Sequence, residues 1–460
     1  MVKDIRGLEV SAGDAGAVET LDRAIDGYLG ARTDTGDHLR EALIRDPDFV
    51  MAHLVRGYFL HLFAHRGLMA RSRESLDAAR EAADRVGATP REQAHIAALD
   101  AWCDGDPATT LRIHSEILID HPLDILALKL AEYWNFYSGD SGGMRDSIGR
   151  VLHAWDDGVP GYGFFLGMRA FALEETGAYD EAERIGREAV ARNPADIWAT
   201  HAVTHVMEMN GRTTDGTAWL DDLAPNWAEI NNFTFHVWWH RTLFALERGE
   251  ADEALELYDR EVRSESTRDF RDITNAAALL WRFDQEGIDT GDRWIELAGH
   301  SAERVGEHVL TFADVHYMMA LASVDDRGSA RELVRTANAY AERDDETQAG
   351  VMRASGRQIC EAILAYREGD YGRAVDVLFP MRGEIRRIGG SHAQRDVFHQ
   401  MLIEAAVRAG RLPLARALLS ERLQHRPESR LTWRRYAGVL DAVGDTAGAE
   451  RARETAGGLA

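Results

Sequence analysis

A spacing recurs along this chain: a small residue, a glycine seven positions on, another small residue five further, and then a proline twelve beyond. It is clearest between Leu166 and Pro194, where Ala170, Gly177, Ala182, Ala189 and Pro194 take offsets 8, 15, 20, 27 and 32 of a 34-residue frame. Each position has a physical reason. Small side chains at 8 and 20 let two antiparallel helices approach closely. Glycine at 15 ends the first helix in the left-handed cap conformation that it adopts at least cost. Proline at 32 stops the second helix and turns the chain into the next unit. The frame returns at Ala98, Gly105 and Pro122; at Gly249, Ala254 and Tyr258; at Ala362, Gly369, Tyr371 and Ala374; and at Gly410, Ala415 and Pro427. The last unit is close to ideal, with Trp433, Ala437, Gly444, Ala449 and Ala456. One match to small residues would mean little, but six units in compatible frames define a tetratricopeptide-like array.

The rest of the chain agrees. Only 10 prolines interrupt 460 residues, and apolar residues recur at i, i+3, i+4 and i+7 without sustained alternation, so the expected class is all-α, a tetratricopeptide-like α-α superhelix (a solenoid of helical hairpins). Residues 1–37 read as a leader with one capping helix, about Gly16 to Gly30. Residues 38–460 read as about ten to twelve hairpins in one continuous array 1–460, with no independent second domain. Thr89, before Pro90 and three residues ahead of Glu92, is an expected N-cap. The irregular middle, Asp272 to Asp345, still reads as helix pairs. Gly389-Gly-Ser391 follows no strand and precedes no Gly-Lys-Ser/Thr, so it reads as a loop ending on the N-cap Ser391 and not as a phosphate loop.

The formal net charge of −24 argues against nucleic acid and anionic membranes as partners, since both need a basic footprint and none appears. Of the basic residues only Lys3 and Lys129 are lysine. Cys103 and Cys360 fit no metal or disulfide spacing and read as small core residues in a reducing compartment. Met1 to Val10 carries charges in place of a secretory apolar run, and no stretch is long and apolar enough to span a bilayer. The expected location is cytoplasmic. Phe398 and Tyr366 read as core, and the charged run from Glu342 to Thr347 as a solvated face or loop.

Several blocks are more specific than the repeat. They are Gly-Leu-Glu-Val-Ser at 7–11, Trp-Ala-Thr-His-Ala-Val-Thr-His-Val-Met-Glu-Met-Asn-Gly at 198–211 and Phe-His-Val-Trp-Trp-His at 235–240. Asp314-Val-His-Tyr-Met-Met319 and Gly-Gly-Ser-His-Ala-Gln-Arg-Asp-Val-Phe at 389–398 extend them. With these the chain resembles a bacterial member of the tetratricopeptide repeat protein 38 family, over nearly its whole length. The resemblance implies one continuous superhelical array and implies no reaction.

Function has to come from the residues. In arrays of this kind the first helix of each hairpin lines the concave face, and offsets 2, 5, 6, 9, 12 and 13 face the groove. Trp198, His201, His205 and Glu208 take such offsets in one unit, as do His236, Trp239 and His240 in the next, and Phe164, Met168 and Phe171 in the unit before. Two imidazole pairs at i,i+4 thus face one concavity by frame. Three readings compete. In the first, His201, His205, His236 and His240 hold a divalent metal, with Glu208 as a further ligand or base. The motif lacks the glutamate of metalloproteases, since Ala202 stands in that place, and the di-iron Glu-x-x-His pattern occurs once, at Glu92–His95. In the second, the histidines act without metal as a binding or acid–base pocket walled by Phe164, Trp198, Phe235 and Trp239. Asn231, Asn232, His316 and the cluster His392, Arg395, Asp396 and His399 would complete it, the arginine taking a carboxylate. No Ser/His/Asp order or reactive cysteine is legible, so no nucleophile can be named. In the third, the aromatics and histidines pack between repeats and the groove takes a protein segment. The sequence favours a protein that binds a partner or a small ligand in this groove, with an enzyme on a small organic substrate as the alternative. Its expected cofactor is none, a divalent metal being the exception, and self-association into a homo-oligomer is compatible with it.

Overall fold

The computed structural model describes residues 2–459. Among them 25 α-helices are joined mostly by short turns, and the only sheet is an antiparallel pair, Val2–Lys3 with Glu9–Val10. The class is all-α with tetratricopeptide-like hairpins, as the frame requires. No helix of the described residues is long and apolar enough to cross a membrane.

The chain forms two compact units. The first comprises Met1–Val203, Asn226–Phe233 and Arg343–Gly350, and the second Thr204–Pro225, Thr234–Glu342 and Val351–Ala460. The division falls inside the helix Ile197–Met209. The first unit holds antiparallel pairs such as Pro90–Cys103 with Pro107–Asp120 and Tyr162–Glu174 with Tyr179–Arg192. The second includes Phe233–Arg248, Phe270–Gln285, His392–Arg408 with Leu412–His425, and Arg430–Ala442 with Thr446–Gly458.

Local chemistry explains the punctuation. Thr89 accepts from the Glu92 backbone N–H while Glu92 reaches back to Thr89, a full capping box, and Ser391 does the same with Gln394. Ala170, Ala182 and Ala189 are buried where the two helices of their hairpin meet. Gly177, between those helices, has φ +81°, and Gly444 in the last unit has φ +85°. A Cβ on Gly177 would meet no atom within 4 Å, so only the backbone opposes substitution. Gly177→Ala is expected to destabilise by about 1–2 kcal/mol, read as a lower urea midpoint at unchanged m-value. An unchanged midpoint would remove this explanation of the offset-15 glycine.

Two irregularities carry no period-2 or period-3.6 signal. Tyr258–Val262 and Met352–Gly356 are π-helical turns continuing α-helices. At the second, a Cβ on Gly356 would lie 2.4 Å from Thr311 Cγ2, so the wide turn coincides with a close helix approach. Cys360, Phe398 and Tyr366 are core residues, and Glu342–Asp345 is exposed. Cys103 and Cys360 are both free thiols.

Candidate functional site

In the second unit, the Ile197–Met209 helix contributes His205 and, one turn on, Glu208. The Phe233–Arg248 helix contributes His236, Trp239 and His240, with Glu247 two turns beyond. The Phe270–Gln285 helix brings Asn275 and Arg282, seven residues apart and so on one face. Glycines set the spacing of these parts. A Cβ on Gly216 would lie 2.3 Å from the Phe244 ring, and one on Gly211 would lie 2.4 Å from Glu428 Cβ.

The three imidazoles meet. The ring centre of His205 is 4.4 Å from that of His240, which is 4.9 Å from that of His236. Each offers a nitrogen within 4.8 Å of the others'. His205, His240 and Trp239 are fully buried, and His236 is 8% exposed. The site is therefore a closed one, not the rim of an open groove. His240 Nδ1 lies 2.7 Å from Glu208 Oε2, and His236 Nδ1 lies 2.9 Å from Asn275 Oδ1. With those oxygens accepting, both rings carry their proton on Nδ1. Burial lowers the pKa of His236 to about 4 despite the Asn275 hydrogen bond, and holds that of His240 well below the usual range, with His205 and His236 adding to the effect. Both rings are neutral at physiological pH. Trp239 stacks on His236 at 5.5 Å between ring centres, and the Arg282 guanidinium lies 5.2 Å from the Trp239 ring centre.

Beside this cluster a cleft is bordered by Arg282, Arg422 and Arg426 and by Glu208, Glu247, Glu286, Asp396 and Glu428. Arg422 grips Asp396 with both terminal nitrogens, and the Asp396 carboxyl, which burial alone would raise, is held well below its usual range by Arg422 and Arg426. Arg426 Nη1 lies 3.7 Å from Glu208 Oε1. Glu247 is pushed up by burial and accepts from Ser429 Oγ and the Leu431 N–H, each at 3.0 Å. Arg282 is lowered to about 10 by burial and donates to the carbonyls of Ala278 and Ala393. Glu208 thus touches both parts: one oxygen orients His240 and the other faces the cleft arginine.

His201 belongs to the first unit, where its ring contacts Phe171 at 5.4 Å, Phe233 at 5.3 Å and Trp198 at 6.3 Å. Trp198 stacks on Phe233 at 3.8 Å with the Lys129 ammonium 4.1 Å from its ring centre. Phe164 is half-buried near Gly30, and the Asn231 side chain accepts from the Phe233 N–H at the start of its helix. Asn232 and Phe235 are half-buried in the same segment. His316 packs between Phe312 and Phe398 and holds the Phe312 carbonyl at 2.7 Å. Of the later cluster, Asp396 reaches the cleft. Arg395 donates to the Gly390 carbonyl and to the exposed His392, and burial lowers the pKa of the half-buried His399. The cleft arginines are Arg282, Arg422 and Arg426, none of which the repeat frame singles out. Asn275 and Glu247 also went unsignalled, because isolated polar residues on otherwise apolar helices carry no spacing motif.

No family model matches the chain. Among solved structures it is similar to the human IFIT1 dimer with m7Gppp-AAAA, at 13% identity over 98% of this chain and 96% of that one, with a TM-score of 0.42. It is also similar to the P58(IPK) TPR domain, at 14% identity over 80% of this chain and 92% of that one, with a TM-score of 0.22. A third similarity is to Naa15/Naa10 bound to HypK-THB, at 12% identity over 96% of this chain and 68% of that one, with a TM-score of 0.26. No property of these proteins is carried over to this chain.

Proposed function

We propose that this is a cytoplasmic tetratricopeptide-repeat protein that binds a small polar organic molecule in the cleft of its second unit. The observation that carries the reading is the cleft itself: three arginines (Arg282, Arg422, Arg426) and five carboxylates (Glu208, Glu247, Glu286, Asp396, Glu428) border one concavity. Convergent charged groups in a concavity are what orient a small polar molecule. Arg422 and Arg426 suit an acid group, and Glu208 and Glu247 suit an amine or hydroxyl, so the expected ligand carries both kinds. The burial of the neighbouring imidazoles supports a small ligand over a protein segment, which would need an open face. The blocks that resemble the tetratricopeptide repeat protein 38 family at 198–211 and 235–240 are the ones that supply His205, Glu208, His236 and His240. Free cysteines accord with the cytoplasm.

A second reading, an enzyme acting on the bound molecule, rests on the 2.7 Å Glu208–His240 pair at the cleft wall. Turnover of a molecule that binds would separate it from a pure binder.

The test is a thermal-shift screen of the full chain against amino acids, dicarboxylates and their amino derivatives. A ligand at a hundred times its Kd should stabilise by about 2.7 kcal/mol. Arg426→Gln should abolish the response. A panel without any stabilising member, or a variant that responds like the wild type, would refute the reading.

A further inference from the structure

Among the described residues, buried histidines gather in each unit and are held by named hydrogen-bond partners. In the first unit both nitrogens of His95 are taken: Nδ1 by the Tyr58 hydroxyl at 3.1 Å and Nε2 by Asp124 at 2.9 Å. That ring is locked into a structural network. In the second unit, Glu208 and Asn275 hold the Nδ1 atoms of His240 and His236 from behind. A histidine that gives its Nδ1 proton to a carboxylate or amide oxygen keeps Nε2 as a lone-pair donor, and this backing is the usual support of a metal-ligating imidazole.

The geometry points to a divalent transition-metal ion of the zinc class bound by His205, His236 and His240, with Glu208 and Asn275 orienting two of the ligands. Metal–nitrogen bonds of about 2.0–2.1 Å set tetrahedral ligand nitrogens roughly 3.3 Å apart. Nitrogens already within 4.8 Å of one another reach that spacing by side-chain rotations of about 1 Å or less. An all-imidazole set selects zinc, cobalt, nickel or copper over magnesium and calcium, which want oxygen. Glu208 then links this ion to the cleft, although the metal proposal stands without the cleft ligand.

The experiment uses the full chain, freed of any affinity tag and stripped of metal by dialysis, titrated with zinc chloride by calorimetry and with cobalt(II) by visible absorption. One tight equivalent of zinc, a tetrahedral cobalt spectrum and a zinc-dependent rise in melting temperature are expected. His205→Asn/His240→Asn should lose the equivalent and the spectrum. Glu208→Gln, which leaves every ligand in place, should keep one equivalent and weaken it by about 10–100-fold; this arm decides the matter if the double variant does not fold. A wild type that takes up no stoichiometric zinc, or a Glu208→Gln variant with wild-type affinity, overturns the proposal. Neither result touches the cleft reading, which is read by the response to organic ligands at Arg426.

Discussion

Between pH 7.5 and 5.5 the protein is expected to lose at least about 4 kcal/mol of folding stability. Three histidines outside the candidate site supply that amount, and the buried His236 and His240 add to it. Burial lowers the pKa of His61 and of His114 to about 3, and that of His316 to about 4, so all three are neutral in the folded state. In the unfolded chain they titrate near 6.5. Because the folded values are depressed, the unfolded state takes up the protons first as pH falls. Stability is therefore unaffected above about 6.5 and declines below it, until the folded-state values near 4 and 3 are reached. Each group contributes about 1.4 kcal/mol per pH unit. The summed loss is a large share of the roughly 5–15 kcal/mol that folded proteins possess. Urea midpoints followed by far-UV circular dichroism at pH 7.5, 6.5 and 5.5 should fall steeply, and His114→Phe should flatten the slope by about one proton. A midpoint constant down to pH 5 would mean that these rings are not buried neutral.

Asp124→Asn is expected to cost about 3–5 kcal/mol at neutral pH. The buried Asp124 carboxylate receives Arg91 Nη1 at 2.8 Å and His95 Nε2 at 2.9 Å, while its other oxygen caps a helix at the Ala127 N–H, 3.0 Å away. Burial alone would raise this carboxyl, but His95 and Arg91 override it and hold it well below the usual range. The amide would cap the helix and leave the buried Arg91 guanidinium without its nearest counter-charge. Arg91→Met in the same background should recover part of the loss, since an uncompensated buried charge is the larger penalty. A single substitution costing under about 1 kcal/mol would show that the pair does not hold the first unit together.

How much of this was legible beforehand depends on the distance over which each interaction closes. The caps at Thr89 and Ser391 were legible, because a capping box is complete within four residues. The left-handed turn at Gly177 was legible because no other residue type occupies it without cost. The strands Val2–Lys3 and Glu9–Val10 were not, since two-residue strands show no alternation. The π-helical turns were not, since one extra residue per turn leaves the surrounding periodicity intact.

The site divides in the same way. Frame offsets singled out His205, His236 and His240, and in the structure their rings adjoin. The same offsets singled out His201, whose ring contacts Phe171, Trp198 and Phe233 within the first unit. Arg395 looked like the carboxylate binder from its place at a helix start, yet it turns back to the Gly390 carbonyl, and Arg422 and Arg426 stand at the cleft.

The sequence by itself determined the hairpins, their caps and the helix faces on which the histidines sit, because helix propensity, capping and small-residue packing are satisfied within one repeat. Only the tertiary structure decided which atoms those faces meet. Asn275 reaches His236 from 39 residues away, Glu208 reaches His240 from 32, and Arg426 reaches Met209 beside Glu208 from 217. Such pairs form when separate helices stack, and a hydrogen bond between helices leaves no periodic trace in either one. The tautomers of His236 and His240, the charges around the cleft and the class of ion that we assign to the three imidazoles all follow from that stacking.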